Sequence, residues 1–386
     1  MKRTAKWAKT QQPEEKISAV GASSRLQAIL NNKDHKDDHF NFEEAVSWKI
    51  STGSLLLDAA VGGGITPSLI RLCGPNNEGK TPQALEICRN FLSEIPKSRV
   101  VWVLAEGRLS KENRERCGMK FVTDASEWTD GSVFILESNV YDLVIDVIKD
   151  LVLNNQEDHR YCFVIDSMDG LILKRDKDTS PADASKVAGT QVISKKLLQS
   201  LSIGMFKHGH LMIAISQITS EIKIDPYAKN APRGGMFSGG NALLHWADFI
   251  LEYSPTAMGD YILDNPSGKM NDGKTKSIGK YSKVMIQKST SEATRKNIIQ
   301  YPIKFGKKPS GIWVEYEILD CLLMWDLVVA KGAWITVDDS LIEELKTVEI
   351  EMPKQHQGRE NFRKWLEENE QATKYLFGKL KAVQSK

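Results

Sequence analysis

The amino-acid sequence predicts an α/β protein: a mostly parallel, twisted sheet flanked by helices, with a short N-terminal helical arm and a small α+β C-terminal domain. Three observations predict it. The middle of the chain holds seven short runs rich in β-branched and aromatic residues, the runs are near-continuously apolar as strands buried on both faces must be, and helix-length segments separate them.

In chain order, residues 1–49 are polar, mixed in charge and punctuated by Gly, Pro and Asn, with one amphipathic stretch from Ser23 to Leu30. They read as an arm carrying a short helix. Residues 50–306 form the core, with strands expected at Leu69–Cys73, Val100–Ala105, Val133–Leu136, Tyr161–Ile165, Leu211–Ser216, Phe249–Tyr253 and Val284–Gln287. Within it, Pro255 to Lys280, rich in Gly, Lys, Asn and Asp, reads as an inserted, mobile hairpin. Residues 307–386 form the small C-terminal domain, with Trp313, Trp325 and Trp334 expected in its core. Its last segment places Phe362, Trp365, Leu366, Tyr375, Leu376 and Leu380 at helical spacing, with a break near Asn369.

Composition excludes several classes. With 386 residues, 41% hydrophobic and 26% charged, the chain is neither disordered nor a disulfide scaffold. The longest apolar stretch, Ile318 to Ala330, is interrupted by Asp320 and Asp326, so no membrane span is expected. The basic start (Lys2, Arg3, Lys6, Lys9) runs into Gln-Gln-Pro-Glu-Glu rather than an apolar segment, which argues against export and for a cytoplasmic protein. Five cysteines, odd in number and widely spaced, read as reduced thiols. Net charge is only +2, but Lys269 to Lys308 holds eleven basic residues against two acids, a solvated face or a site for an anion.

The strongest motif is Gly74-Pro75-Asn76-Asn77-Glu78-Gly79-Lys80-Thr81, a GxxxxGK[ST] phosphate loop between an apolar strand and the helical Gln83 to Leu92. Its glycines let the backbone N–H groups curl around phosphates, Lys80 reaches the β/γ oxygens, and Thr81 can ligate Mg²⁺. Pro82 suits a first helical turn, which does not need its N–H. A carboxylate for the metal is expected at Asp166, closing the apolar run Cys162 to Ile165, although an acid at a strand end also serves as a helix cap. Glu106, after the strand Val100 to Ala105, is the candidate to polarise an attacking water. Gln217, after Leu211 to Ser216, is the candidate sensor of the terminal phosphate, and a long polar segment, Ile218 to Ser238, follows it.

These motifs, together with Ile50-Ser51-Thr52-Gly53-Ser54-Leu55-Leu56-Leu57-Asp58, Asp166-Ser167, Gly239-Gly240-Asn241-Ala242-Leu243, Gly332-Ala333-Trp334 and Asn361 to Leu380, resemble in order and spacing the bacterial RecA recombinases and their phage UvsX-like relatives. The resemblance implies a RecA-type P-loop ATPase core, ATP with Mg²⁺ between protomers of a helical filament, an N-terminal helix at the protomer contact, and two loops that hold single-stranded DNA. On this chain the first loop spans Lys174 to Lys186, with Lys174, Arg175, Lys177 and Lys186 to neutralise phosphates. The second spans Ile218 to Ser238 and runs on to Asn241. It offers Lys223, Lys229 and Arg233 as cations, Ile222, Ile224, Met236 and Phe237 to pack on bases, and Gly234, Gly235, Ser238, Gly239, Gly240 and Asn241 as flexible contacts.

The chain departs from that family at several positions. Of two cations that reach the neighbour's terminal phosphate, Lys288 fills the first position but Thr290 stands at the second, with Arg295 as a substitute. The aromatic that stacks on adenine falls at Asn113 and the acid at the base edge at Ser110. The acidic C-terminal tail is replaced by Lys379 to Lys386. The resemblance implies an ATP- and DNA-dependent recombinase catalysing homologous pairing and strand exchange with duplex DNA in recombination and repair, assisted by single-strand-binding and mediator proteins. A nucleoid-associated place in a bacterial or phage-infected cell goes with it. Two alternatives stand beside it: an ATP-binding, filament-regulating paralogue without strand exchange, and a ring-forming helicase or loader core.

Overall fold

The computed structural model describes residues 21–32, 44–107, 109–177, 203–219, 236–237, 245–265, 268–270, 273–290, 298–306 and 311–384. The chain divides into two units, Met1–Glu44 and Ala45–Lys386. In the first, Ala22–Leu30 forms helix α1, none of whose residues is buried; Leu26 and Ile29 are each 57% exposed.

The second unit is built on one large sheet. Its elements are α2 (Leu55–Ala60), β1 (Leu69–Cys73), α3 (Lys80–Glu94), β2 (Ser98–Leu104), α4 (Lys111–Cys117), β3 (Lys120–Val122), β4 (Ser132–Glu137), α5 (Tyr141–Leu153), β5 (Arg160–Asp166), β6 (Leu211–Ser216), β7 (Ile218–Thr219), β8 (Met236–Phe237), β9 (Phe249–Tyr253), β10 (Tyr261–Leu263), β11 (Ser277–Lys288) and β12 (Ile298–Lys304). The sheet runs β10-β11-β9-β1-β6-β5-β2-β4-β3, with β12 also paired to β11. From β9 to β3 every pair is parallel, whereas β10, β11 and β12 are antiparallel to their neighbours.

Each central strand is apolar on both faces because helices cover both. In β5, Cys162 and Val164 join the core under α3, while Tyr161, Phe163 and Ile165 join the opposite core with Val144 and Ile148 of α5. This double burial explains why the strands lack alternation. All five cysteines are buried and free. The wide sequence spacing hides one close pair, Cys88 of α3 and Cys162 of β5, whose sulfurs lie 3.8 Å apart.

Two sequence expectations are corrected here. The strand expected at Val284–Gln287 is twelve residues long, Ser277–Lys288. The stretch Pro255 to Lys280 holds β10 and the start of β11, an antiparallel pair as a hairpin requires, and the pair extends the sheet edge. The period-2 pattern of β11, half-buried and interrupted by Lys and Ser, does not stand out as an apolar run. Of the three tryptophans, Trp313 is buried in a small cluster with Ile262 and Tyr316, and Trp325 packs on the C-terminal core, but Trp334 is 47% exposed. Its place on β14 decides this, since the neighbours Ile335 and Val337 point inward instead.

The C-terminal elements are α6 (Val314–Met324), β13 (Val328–Lys331), β14 (Trp334–Val337), α7 (Asp339–Thr347), β15 (Gln355–Gln357), α8 (Gly358–Glu368) and α9 (Glu370–Gln384). The antiparallel sheet β13-β14-β15 and these helices share a core of Ile318, Leu322, Leu341, Phe362, Leu376 and Leu380. Leu55 of α2 belongs to the same core, so the C-terminal elements pack on the segment that precedes the phosphate loop.

A buried carboxyl fastens that contact. Glu317 of α6, 0% exposed, accepts the Ser54 hydroxyl at 2.5 Å and the Leu55 N–H at 2.8 Å, capping α2 from outside. Burial raises its pKa to about 8; the Ser54 and Leu55 bonds pull it down only in part, and nearby Asp58 raises it further. The folded state therefore holds this proton more tightly than the unfolded chain. The resulting stabilisation is complete below the unfolded value of 4.5 and is lost as pH rises towards about 8. Unfolding free energy is expected to fall by about 2–4 kcal/mol across this range, and Glu317→Gln is expected to flatten the slope. Denaturant midpoints at the two ends of the range check this; the same slope in wild type and variant would absolve Glu317.

Candidate nucleotide-binding site

The phosphate loop joins the carboxyl end of β1 to the amino end of α3. Two of its glycines are required by geometry. Gly74 has φ +147° and a Cβ there would lie 2.6 Å from the Tyr253 carbonyl oxygen; Gly79 has φ +106° and its Cβ would meet Ile303 at 2.7 Å. Neighbouring strands β6, β5 and β2 end beside this loop, because parallel strands bring all their carboxyl ends to one edge.

That edge collects the expected groups around one cavity of about 550 Å³. Asn76, Asn77, Gly79, Lys80, Thr81 and Pro82 line it from the loop and α3, Glu106 from the end of β2, Asp166 and Ser167 from β5, and Gln217 from β6. Gly74, Pro75 and Glu78 complete the loop without lining the cavity. Lys80, 7% exposed, folds back to donate to the Gly74 and Pro75 carbonyls at 2.7 and 2.5 Å. Burial lowers its pKa, and Asp166 opposes that shift. The Thr81 hydroxyl donates to Asp166 at 3.3 Å. Burial lifts Asp166 to about 6, with the Thr81 bond and Lys80 pulling the other way.

Glu106 is the meeting point of two side chains. Ser167 donates to its Oε2, and the Gln217 amide nitrogen lies 3.4 Å from both of its oxygens. Gln217 is held from behind, its backbone N–H donating to Asp169 at 2.6 Å. A carboxylate, an amide and a hydroxyl thus converge next to the lysine, the threonine and the second carboxylate. The donor set fits a magnesium nucleotide: Thr81 and Asp166 present adjacent hard oxygens, and Gly74 and Gly79 let the loop turn at positive φ ahead of Thr81.

The remaining sequence candidates fall elsewhere. Asn113 lines the cavity, while the Ser110 hydroxyl is engaged as the cap of α4, accepting the Asn113 N–H at 3.1 Å. Lys288 is exposed at the end of β11, donates to the His245 carbonyl at 3.0 Å and does not line the cavity. Lys174 and Arg175 lie in a single 3₁₀ turn followed by Lys177, all exposed and away from the cavity. Met236 and Phe237 form β8, paired antiparallel with β7. Lys186, Ile222, Lys223, Ile224, Lys229, Arg233, Gly234, Gly235, Ser238, Gly239, Gly240, Asn241 and Arg295 lie outside the described residues.

Two charged cavity residues escaped the sequence reading, Arg116 on α4 and Lys280 on β11. Arg116 carries no local motif. Lys280 had one usable signal, its position two residues before Ser282 on the same face of a strand, hidden by the hairpin assignment.

Fold and site together define a phosphate-loop α/β protein with a RecA-type core. Comparison of the sequence makes the likeness more particular: the chain is similar along most of its length to bacterial RecA proteins. It is 25% identical over 335 residues to Protein RecA of Campylobacter fetus subsp. fetus, spanning 86% of this chain and 83% of that protein. Protein RecA of Malacoplasma penetrans is 24% identical over 361 residues, 92% of this chain and 94% of that protein. Protein RecA of Helicobacter hepaticus is 25% identical over 336 residues, with 86% and 83% covered. No family model matches the chain.

Proposed function

We propose that the protein is an ATP- and DNA-dependent recombinase, which forms a helical filament on single-stranded DNA and catalyses homologous pairing and strand exchange with duplex DNA. One observation carries the reading: Glu106, Gln217 and Ser167 converge beside Lys80, Thr81 and Asp166 in a single cavity. Lys80 and the loop amides bind the β- and γ-phosphates of ATP, and Thr81 with Asp166 holds Mg²⁺, which supplies charge stabilisation at the transferred phosphoryl group. Glu106 orients and deprotonates the attacking water. Gln217 ties that chemistry to the segment after β6, which carries the DNA contacts in this reading.

Lys288, turned away from its own cavity, suits a role at the site of the neighbouring protomer. Similarity to RecA proteins along most of both chains supports the filament over a ring. Among the described residues no helix is long and apolar enough to cross a membrane. The proposed setting is the cytoplasm, at the nucleoid of a bacterial or phage-infected cell, with single-strand-binding and mediator proteins as further partners. The three proposed parts are an arm at 1–49, an ATPase core at 50–306 and a C-terminal domain at 307–386.

Thr290, in place of a second cation, favours one other reading, a filament-regulating paralogue that binds ATP without exchanging strands. Hydrolysis measured with and without single-stranded DNA, on samples imaged by negative-stain microscopy, separates them. DNA-stimulated turnover with helical filaments is the expected result. Filaments without turnover would favour the paralogue, and closed rings would sink both in favour of a helicase or loader.

A further inference from the structure

A glutamate is an unfavourable neighbour for a polyphosphate. Glu78 stands in the phosphate loop itself, one residue before Gly79, where backbone N–H groups face an anion and a bare carboxylate would oppose it. The counter-charge comes from the far end of the core. Lys280 of β11, 7% exposed, donates to the Asn77 carbonyl at 2.5 Å, to the Glu78 carboxylate at 3.0 Å and to the Thr256 hydroxyl at 2.9 Å. That hydroxyl in turn donates to the same Glu78 oxygen. Two residues further along the same face of β11, the Ser282 hydroxyl donates to the Glu78 carbonyl at 2.7 Å.

The outer turn of the loop is therefore held by both of its carbonyls from one strand. It includes Asn77 at φ +62°, a left-handed conformation open to few L-residues, Asn among them. Burial pushes the Glu78 carboxyl up, but the Thr256 and Lys280 bonds outweigh burial and leave it below its ordinary range.

We infer that Lys280 is a positioning residue of the nucleotide site: it neutralises Glu78 and pins the outer turn, so that the loop's N–H groups are aimed before a phosphate arrives. The inference deepens the nucleotide-binding reading of this cavity and rests on it. It assigns no contact between Lys280 and the nucleotide, which is what makes it testable.

Fluorescent ADP and ATP, each with Mg²⁺, would be titrated into wild type, Lys280→Met, Glu78→Gln and the double variant, with thermal melting recorded without ligand. Lys280→Met is expected to weaken both nucleotides roughly tenfold or more in the wild-type background and at most about twofold in the Glu78→Gln background. Equal losses in the two backgrounds would overturn the inference and make Lys280 a direct phosphate ligand. A lower melting temperature with unchanged affinity would also overturn it, leaving an ion pair of structural value only. Failure of the wild type to bind either nucleotide would instead remove the site reading, and the positioning role with it, before any variant is compared.

Discussion

Lys80→Ala is expected to weaken ATP binding by roughly 100-fold or more and to abolish ATP-dependent filament assembly, while the fold persists. Without ligand the ammonium group is folded onto the Gly74 and Pro75 carbonyls, bonds between a charge and the loop's own backbone. Their loss removes about 1–3 kcal/mol, a small part of the stability of a domain this size. In the proposed complex with ATP the same group faces the β- and γ-phosphates, and removing one partner of a desolvated charged pair costs about 2–5 kcal/mol. Calorimetric titration with ATP and Mg²⁺ reads the affinity, and melting of the free protein reads the fold. An affinity within a few-fold of wild type would show that the loop amides alone hold the nucleotide.

Glu106→Gln separates binding from hydrolysis. The exchange keeps the shape of the side chain, the neighbour Ser167 and the contact with Gln217, but removes the basic oxygen pair. Loss of a general base costs about 10²–10⁴-fold in rate, so turnover is expected to fall by that range. Nucleotide affinity is expected to hold, because one negative charge beside the phosphates has gone. In the proposed cycle the ATP-bound filament then assembles and does not release DNA. Single-turnover hydrolysis together with DNA dissociation kinetics tests both halves. Normal hydrolysis by this variant would place the base elsewhere, and slow hydrolysis with normal DNA release would break the link between the site and the segment after β6.

Most of this site was legible from the chain alone because each of its parts is local. A phosphate loop is a continuous peptide, and Asp166, Glu106 and Gln217 each close an apolar run whose burial on both faces makes it readable. Parallel strands carry such residues to one edge without any further instruction. Lys280 was not legible in the same way. It stands 202 residues from Glu78, on an antiparallel strand with one half-buried face, and its place in a basic run pointed to a solvated face or an anion site without naming a partner. The same reason hid the edge strands β10 and β12 and the Cys88–Cys162 proximity, which arises where α3 crosses β5.

Local order therefore belonged to the sequence: the α/β class, the seven principal strands, the phosphate loop and the acids and amide that surround it. Tertiary structure alone decided what is paired across the chain. It made Glu317 a buried cap for α2, 262 residues from Leu55, rather than one more helix glutamate. It also set Lys280 against Glu78 in the loop. The physical reason is common to both: backbone preference and apolar periodicity are fixed by neighbours in sequence, whereas the partner of a charge or a polar group is whichever residue the packed sheet brings within reach.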